Sequence, residues 1–90
     1  MAHADPAALA ALLPLMRQLR DIKGVREVKP GIFHCRGVAF VHFHDDHGSL
    51  HADLKKAGCS VFDRYALDTA PAQRKLIDDA RRRAGRGDDD

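Results

Sequence analysis

The stretch that decides the fold is residues 39–54, AFVHFHDDHGSLHADL, which holds four of the chain's six histidines. Apolar and polar residues alternate on both sides of a short segment rich in aspartate and glycine. Alternation with a period of two is typical of strands that bury one face, and aspartate and glycine tolerate the backbone conformations of turns. The stretch therefore predicts a β-hairpin that turns through Asp45-Asp46-His47-Gly48.

Side-chain chemistry predicts the register of this hairpin. Pairing across the strands gives one apolar face, made of Phe43 with Leu50, Val41 with Ala52 and Ala39 with Leu54. The other face then pairs His44 with Ser49, His42 with His51, and Phe40 with Asp53. A shift by one residue would mix polar and apolar side chains on both faces. We therefore expect the apolar face in the core and the histidine face pointing outward.

Further strands are predicted on both sides of the hairpin, at residues 25–29, 32–35 and 61–67. The turn at Arg36-Gly37 leaves two registers open. A two-residue turn would put Ile32 and His34 on the face of Val41, whereas a three-residue turn would put Phe33 and Cys35 there. We expect the three-residue turn, because it buries a phenylalanine.

Helices are predicted at both ends of the chain. Asp5 before Pro6 is typical of a helix start, and an apolar stripe follows at Leu9, Leu12, Leu13, Met16 and Leu19. Pro14 leaves two alternatives: the helix kinks there, or the ordered helix begins near Leu13. The second helix should be capped by Thr69 and end before a disordered tail that starts at Gly85; its stripe is Ala72, Leu76, Ile77 and Ala80.

The predicted architecture is α+β. An antiparallel β-meander of three to five strands should carry the N- and C-terminal helices on one face, as a two-layer sandwich. Ninety residues fit a single domain, with an ordered core at about residues 12–84.

Composition indicates a cytoplasmic protein. Cys35 and Cys59 fit no CxxC spacing, so reduced thiols are expected. The apolar run from Ala7 to Met16 is too short to cross a bilayer, and no basic segment precedes it as in a secretion signal. The formal net charge of +2 predicts no large field of one sign.

His42, His44 and His51 form the most distinctive group on the expected outer face. Three histidines with an open water position are the ligand set of a catalytic zinc site, and Asp53 lies close enough to be a fourth ligand or to orient one. The same imidazoles could instead form a pH-responsive cluster. Ordinary solvated side chains are the simpler interpretation, because a His-x-His pair alone is a weak signal.

Two other features offer binding surfaces. The last helix carries a basic cluster that could contact nucleic-acid phosphates, made of Arg74, Lys75, Arg81, Arg82 and Arg83. Arginines in a last helical turn commonly complement the helix dipole, which weakens this alternative. Phe40, Val38 and Ile32 are apolar residues left on the expected outer face, and they predict either a homodimer or ligand surface or a second minor core.

Three segments resemble known families: Gly24-Val25 to Phe33, Arg36-Gly37-Val38-Ala39-Phe40, and the hairpin up to Leu54. They are similar to small bacterial α+β proteins of unassigned function, and they resemble the short domain labelled "luciferase family" and the YjbR-type domains. The resemblance implies a β-meander with helices, and it carries over no activity and no functional residue.

These observations favour a binding or interaction module that works through the outer, histidine-bearing sheet face, without a cofactor. Its partner would be a protein or a small molecule, and neither a membrane nor nucleic acid is favoured. The main alternative is a zinc-dependent, hydrolytic site on the three histidines. Neither Ser49 nor Cys35 stands in a recognisable catalytic frame, which favours a role other than catalysis.

Overall fold

The computed structural model describes residues 2–3, 9–46 and 48–86, and its elements follow the order strand, helix, five strands, helix. Their bounds are β1 (Ala2–His3), α1 (Leu13–Arg20), β2 (Val25–Lys29), β3 (Ile32–Cys35), β4 (Val38–Asp46), β5 (Ser49–Lys55), β6 (Phe62–Ala66) and α2 (Ala70–Arg86). None of the helices in these described ranges combines the length and the apolar composition that a membrane span requires.

The sheet is an antiparallel meander in the order β2-β3-β4-β5-β6, and β1 also pairs with β4. Consecutive strands lie side by side because short turns join them. β1 pairs through Ala2 with Asp45 and through His3 with His44, on the edge of β4 opposite to β5. The predicted α+β meander is confirmed, and β1 adds a short strand near the start of the chain.

The core lies on one face of this sheet, and both helices cover it. The sheet contributes Phe33, Val41, Phe43, Ala52 and Leu54, all buried. Leu15, Met16 and Leu19 of α1 join the same cluster, as do Leu76, Ile77, Ala80 and Ala84 of α2. Burial of each large apolar side chain stabilises the fold by roughly 1.5–3 kcal/mol. The predicted two-layer sandwich with both helices on one face is therefore confirmed.

Pro14 is in the first turn of α1, where the missing amide hydrogen costs no helical hydrogen bond. This confirms the alternative in which the ordered helix begins near Leu13. Leu13 itself is 40% exposed and Leu15 is buried instead, so the predicted stripe is wrong there. A turn at residues 11–12 breaks the helical phase that the stripe assumed. The predicted helix start at positions 5–6 lies outside the described residues.

The start of α2 is as predicted. The Ala72 amide donates a hydrogen bond to Thr69 Oγ1 at 3.2 Å, which caps the helix. The helix continues through Gly85 to Arg86, beyond its predicted end. Ala84 is buried in the core and fixes this last turn against the sheet.

The β4–β5 hairpin differs from its predicted register by two residues. Asp46 pairs with Ser49, so the turn consists of residues 47 and 48, of which 47 lies outside the described residues. The Gly48 amide donates to Asp45 Oδ1 at 2.9 Å, which closes the turn. A slip of two residues keeps the side chains from Val41 onward on their predicted faces, because side chains along a strand alternate with a period of two. Ala39, predicted on the core face, lies across from His34 on the outer side instead. The predicted faces are confirmed from Val41 onward, and the predicted cross-strand partners are wrong.

A β-bulge at Phe40 corrects the predicted faces at the start of β4. Phe33 pairs with Val41 and His34 with Ala39, which leaves Phe40 as the extra residue on β4. Phe40 is buried in the core beside Val41, so its expected outer position is wrong. Val38 lies across from Cys35, which is in the core, so its expected outer position is wrong as well. Of the outer apolar patch predicted from Phe40, Val38 and Ile32, only Ile32 remains on the outer face.

The same bulge explains the β3–β4 turn. Cys35 pairs with Val38, so Arg36-Gly37 is a two-residue turn, and the expected three-residue turn is wrong. Both turn residues have positive φ, 53° for Arg36 and 83° for Gly37. Phe33 and Cys35 nevertheless lie in the core, as expected, because the bulge shifts the alternation by one residue.

Candidate functional site

The outer face is the sheet surface opposite to the helices, and its centre is formed by His42, His44, His51, Asp53, Phe62 and Arg64. The register places His44 across from His51 and His42 across from Asp53. The predicted pairing of His42 with His51 is wrong because of the two-residue slip. Asp53 therefore lies between His42 on β4 and Arg64 on β6.

The three imidazoles are close neighbours on this face. The ring centroids of His44 and His51 lie 5.7 Å apart, with an angle of 38° between the ring planes. His42 and His44 lie 6.2 Å apart in an edge-on arrangement of 75°. His44 therefore lies within 6.2 Å, between ring centroids, of both other histidines.

Asp53 connects the histidines to the last strand. His44 Nε2 lies 3.2 Å from Asp53 Oδ2. Arg64 donates from Nε to Asp53 Oδ1 at 3.1 Å and from Nη2 to Oδ2 at 3.4 Å. The hydrogen bond to Asp53 raises the pKa of Arg64 above its ordinary value, although partial burial opposes this. The carboxylate therefore holds side chains of three adjacent strands in one arrangement.

The group is partly buried without a helix over it. His51 is only 7% exposed, and His42, His44 and Asp53 are half-buried. The helices do not supply this cover, since their buried residues belong to the core cluster on the other face. Contacts among the outer-face side chains themselves restrict their motion, and this favours a preformed surface.

Metal ligation was predicted for His42, His44, His51 and Asp53. In the described part of the chain, no group of three or more His, Cys, Asp or Glu side chains is placed so that it could hold a metal ion. The four residues share one face, and their nearest ring contacts are the His44–His51 and His42–His44 pairs. Asp53 interacts with His44 and Arg64 instead of completing a ligand set.

Phe62 and Arg64 belong to the site but were not predicted as site residues. The Phe62 ring lies 5.5 Å from the His42 ring, and Arg64 binds Asp53 as described. Both side chains reach the face because β6 pairs with β5 in a register that sets Arg64 across from Asp53. The opposite charges of Arg64 and Asp53 are the signal in the sequence that could have identified this register.

The basic residues of α2 do not form one free surface. Lys75 and Arg82 both pair with the buried Asp79. Arg83 donates to Asp63 Oδ2 at 2.9 Å and to the carbonyl oxygens of residues 54 and 55. Arg74 and Arg81 remain exposed on the helix. Three of the five predicted phosphate contacts therefore take part in contacts within the fold.

No family model, no curated protein and no solved structure matches the chain. The resemblance to the "luciferase family" short domain and to YjbR-type domains therefore stays a prediction.

Proposed function

We propose that the protein is a binding module, not an enzyme, and that it binds an acidic protein partner through the outer face. The observation that carries this proposal is the position of both helices on the opposite side of the sheet. A preformed polar and aromatic surface is thereby left without a covering element among residues 9–46 and 48–86.

The composition of the face suits a protein interface. Ile32 lies across from His42, and the Phe62 ring contacts His42 on the side of β6. These three half-buried residues form an apolar and aromatic patch beside the Asp53–Arg64 pair. Apolar and aromatic side chains together with charged ones are the usual composition of a specific protein interface.

The net charge of the outer face favours an acidic partner. The register places four basic residues on this face and two acidic ones, an excess of two positive charges: Arg26, Lys29, Lys55 and Arg64 against Asp46 and Asp53. Two copies of the same positive face repel each other, so the charge disfavours a face-to-face homodimer.

Site-specific photocross-linking in cells tests this proposal. A benzoyl-phenylalanine is placed at Phe62, and the control chain carries it at Arg74 on the exposed side of α2. We expect a defined adduct only from position 62. The cross-linked protein is then identified and purified, and we expect Arg64→Glu to weaken its binding at least tenfold while the matched Arg74→Glu does not. Equal cross-linking at both positions, or equal binding by both variants, contradicts the proposal.

Two further measurements separate the alternatives. Zinc is titrated while the imidazole resonances of His42, His44 and His51 are observed. If their shifts saturate at one equivalent of zinc, the outer face is a metal site and the proposal is wrong. Retardation of DNA or RNA that is lost in Arg74→Gln/Arg81→Gln would support nucleic-acid binding through α2. An adduct of twice the chain mass would identify a homodimer.

A further inference from the structure

A cavity of about 370 Å³ lies at the end of the sheet, away from the histidine group. It is bounded by the β3–β4 turn, by the connection after β5 and by Arg83 of α2. Its apolar lining includes Cys35, Val38 and Phe40. The volume is within the range of small-molecule sites, at the lower end. At about 30 Å³ for each water-sized group, it has room for roughly a dozen non-hydrogen atoms.

The charged residues around this cavity are cations. Arg36, Lys55, Lys56 and Arg83 line it, and the described lining residues include no carboxylate. Asp63 lies behind the lining, where it pairs with Arg83 at 2.9 Å and with Lys56 at 3.4 Å. Four cations against one carboxylate leave an excess of three positive charges beside an apolar wall.

Arg36 is held at the cavity in an uncommon backbone conformation. Its φ of 53° lies in the left-handed region, which residues other than glycine and asparagine seldom adopt. Arg36 Nη1 lies 3.0 Å from Cys35 Sγ, and a Cβ atom on Gly24 would lie 3.3 Å from Arg36 Cζ. The side chain is therefore packed between Gly24 and Cys35. Strained residues with fixed side chains are concentrated at binding sites.

We propose that this cavity binds a small organic acid with one carboxylate and an apolar body. The carboxylate pairs with Arg36 and Lys56, since a guanidinium and an ammonium are the usual protein partners of that group. The body contacts Val38 and Phe40. The proposed ligand contacts are separate from the outer-face function, because Arg36, Lys56, Val38 and Phe40 are not part of the outer face; Lys55 borders both surfaces and is not one of these contacts.

Titration with octanoate, followed by amide NMR shifts of the full chain, tests the proposal. We expect saturable shifts centred on residues 35–38 and 55–58. Octanol, which has the same apolar body without the charge, should bind at least tenfold more weakly. Acetate, which has the charge without the body, should not saturate at millimolar concentrations.

Two variants test the role of the cations. Arg36→Asn should remain folded, because asparagine tolerates a left-handed conformation, and it should weaken octanoate binding at least tenfold. Lys56→Gln changes an exposed residue and should weaken binding several-fold. Arg74→Gln removes a distant charge and should bind as the unchanged chain does. The proposal is overturned if octanol binds as tightly as octanoate, if both cavity variants keep full affinity, or if the shifts centre on the outer face.

Discussion

Tyr65 Oη donates a hydrogen bond to Asp79 Oδ2 at 2.6 Å, and this bond joins β6 to α2. Both residues are buried. The same carboxylate pairs with Lys75 Nζ at 3.3 Å and with Arg82. A buried carboxylate destabilises a fold unless donors replace its lost water. Here three donors from strand and helix do so, and α2 is thereby fixed to the sheet by a polar contact as well as by its apolar stripe.

Replacing Tyr65 by Phe should destabilise the protein, because Asp79 then loses a donor that water cannot readily replace. A hydrogen bond to a charged group contributes about 1.5–3 kcal/mol. We therefore expect the free energy of unfolding in urea to fall by that amount for Tyr65→Phe, with an unchanged slope. Asp78→Asn is the matched control on the exposed side of the same helix, and it should change stability by no more than about 0.5 kcal/mol. Equal stabilities of the two variants would contradict a contribution from the Tyr65–Asp79 bond.

Tyr65 should also ionise at higher pH than a free tyrosine. Burial is the largest cause that raises the pKa of Tyr65 above 10.0, and the Asp63 carboxylate adds to it, although Arg83 and Arg82 act in the opposite direction. Since the folded state holds the proton more tightly, this contribution to stability is complete below pH 10 and is lost as pH rises through the folded pKa. Tyr65 is the chain's single tyrosine, so tyrosinate absorbance reads it directly. A midpoint at or below that of the urea-unfolded chain would count against this prediction.

Asp63 should make the protein less stable in acid. Partial burial opposes ionisation of Asp63, but hydrogen bonds from Arg83 and Lys56 prevail and lower its pKa below 3.8. A carboxyl group whose folded pKa is depressed contributes stability above its unfolded pKa, and that contribution is lost as pH falls through the folded pKa. We expect Asp63→Asn to melt at a lower temperature than the unchanged chain at pH 7, and the difference to disappear at the acidic end of a pH series. Asp68→Asn, at an exposed position after β6, serves as the control and should show no such convergence.

In the β4–β5 hairpin, the periodicity of the sequence predicts the faces of the strands but not their register. The apolar face containing Val41 and Phe43 was predictable, because alternation along each strand is fixed by backbone geometry. The register was not, since a slip of two residues preserves both faces and only the turn distinguishes the two pairings. His44 is consequently across from His51, although its face is the predicted one.

Contacts between distant strands were harder to predict. The pairing of Asp53 with Arg64 depends on the register of β6 against β5. A connection joins these two strands, and its length does not determine that register. The cavity beside Arg36 depends on three separate segments, including the far end of α2. No local sequence pattern encodes such an arrangement, so the face of the outer histidines was predictable but their cross-strand partners were not.

The bulge at Phe40 gives the most direct test of the core. Regular alternation would place Phe40 on the outer face, where truncation costs little, whereas the bulge buries it beside Val41. Removing a buried phenylalanine side chain costs about 3–5 kcal/mol, since the transfer energy is lost and a void remains. We expect Phe40→Ala to lower the free energy of unfolding by that amount. If the alanine variant does not fold, the milder variant Phe40→Leu still allows a loss in the free energy of unfolding to be measured. Val38→Ala is the control two residues away, at a side chain that is 53% exposed, and should change stability by about 0.5 kcal/mol or less. If Phe40→Ala were no more damaging than Val38→Ala, Phe40 would have to lie outside the core, and the strand would have to run without its bulge.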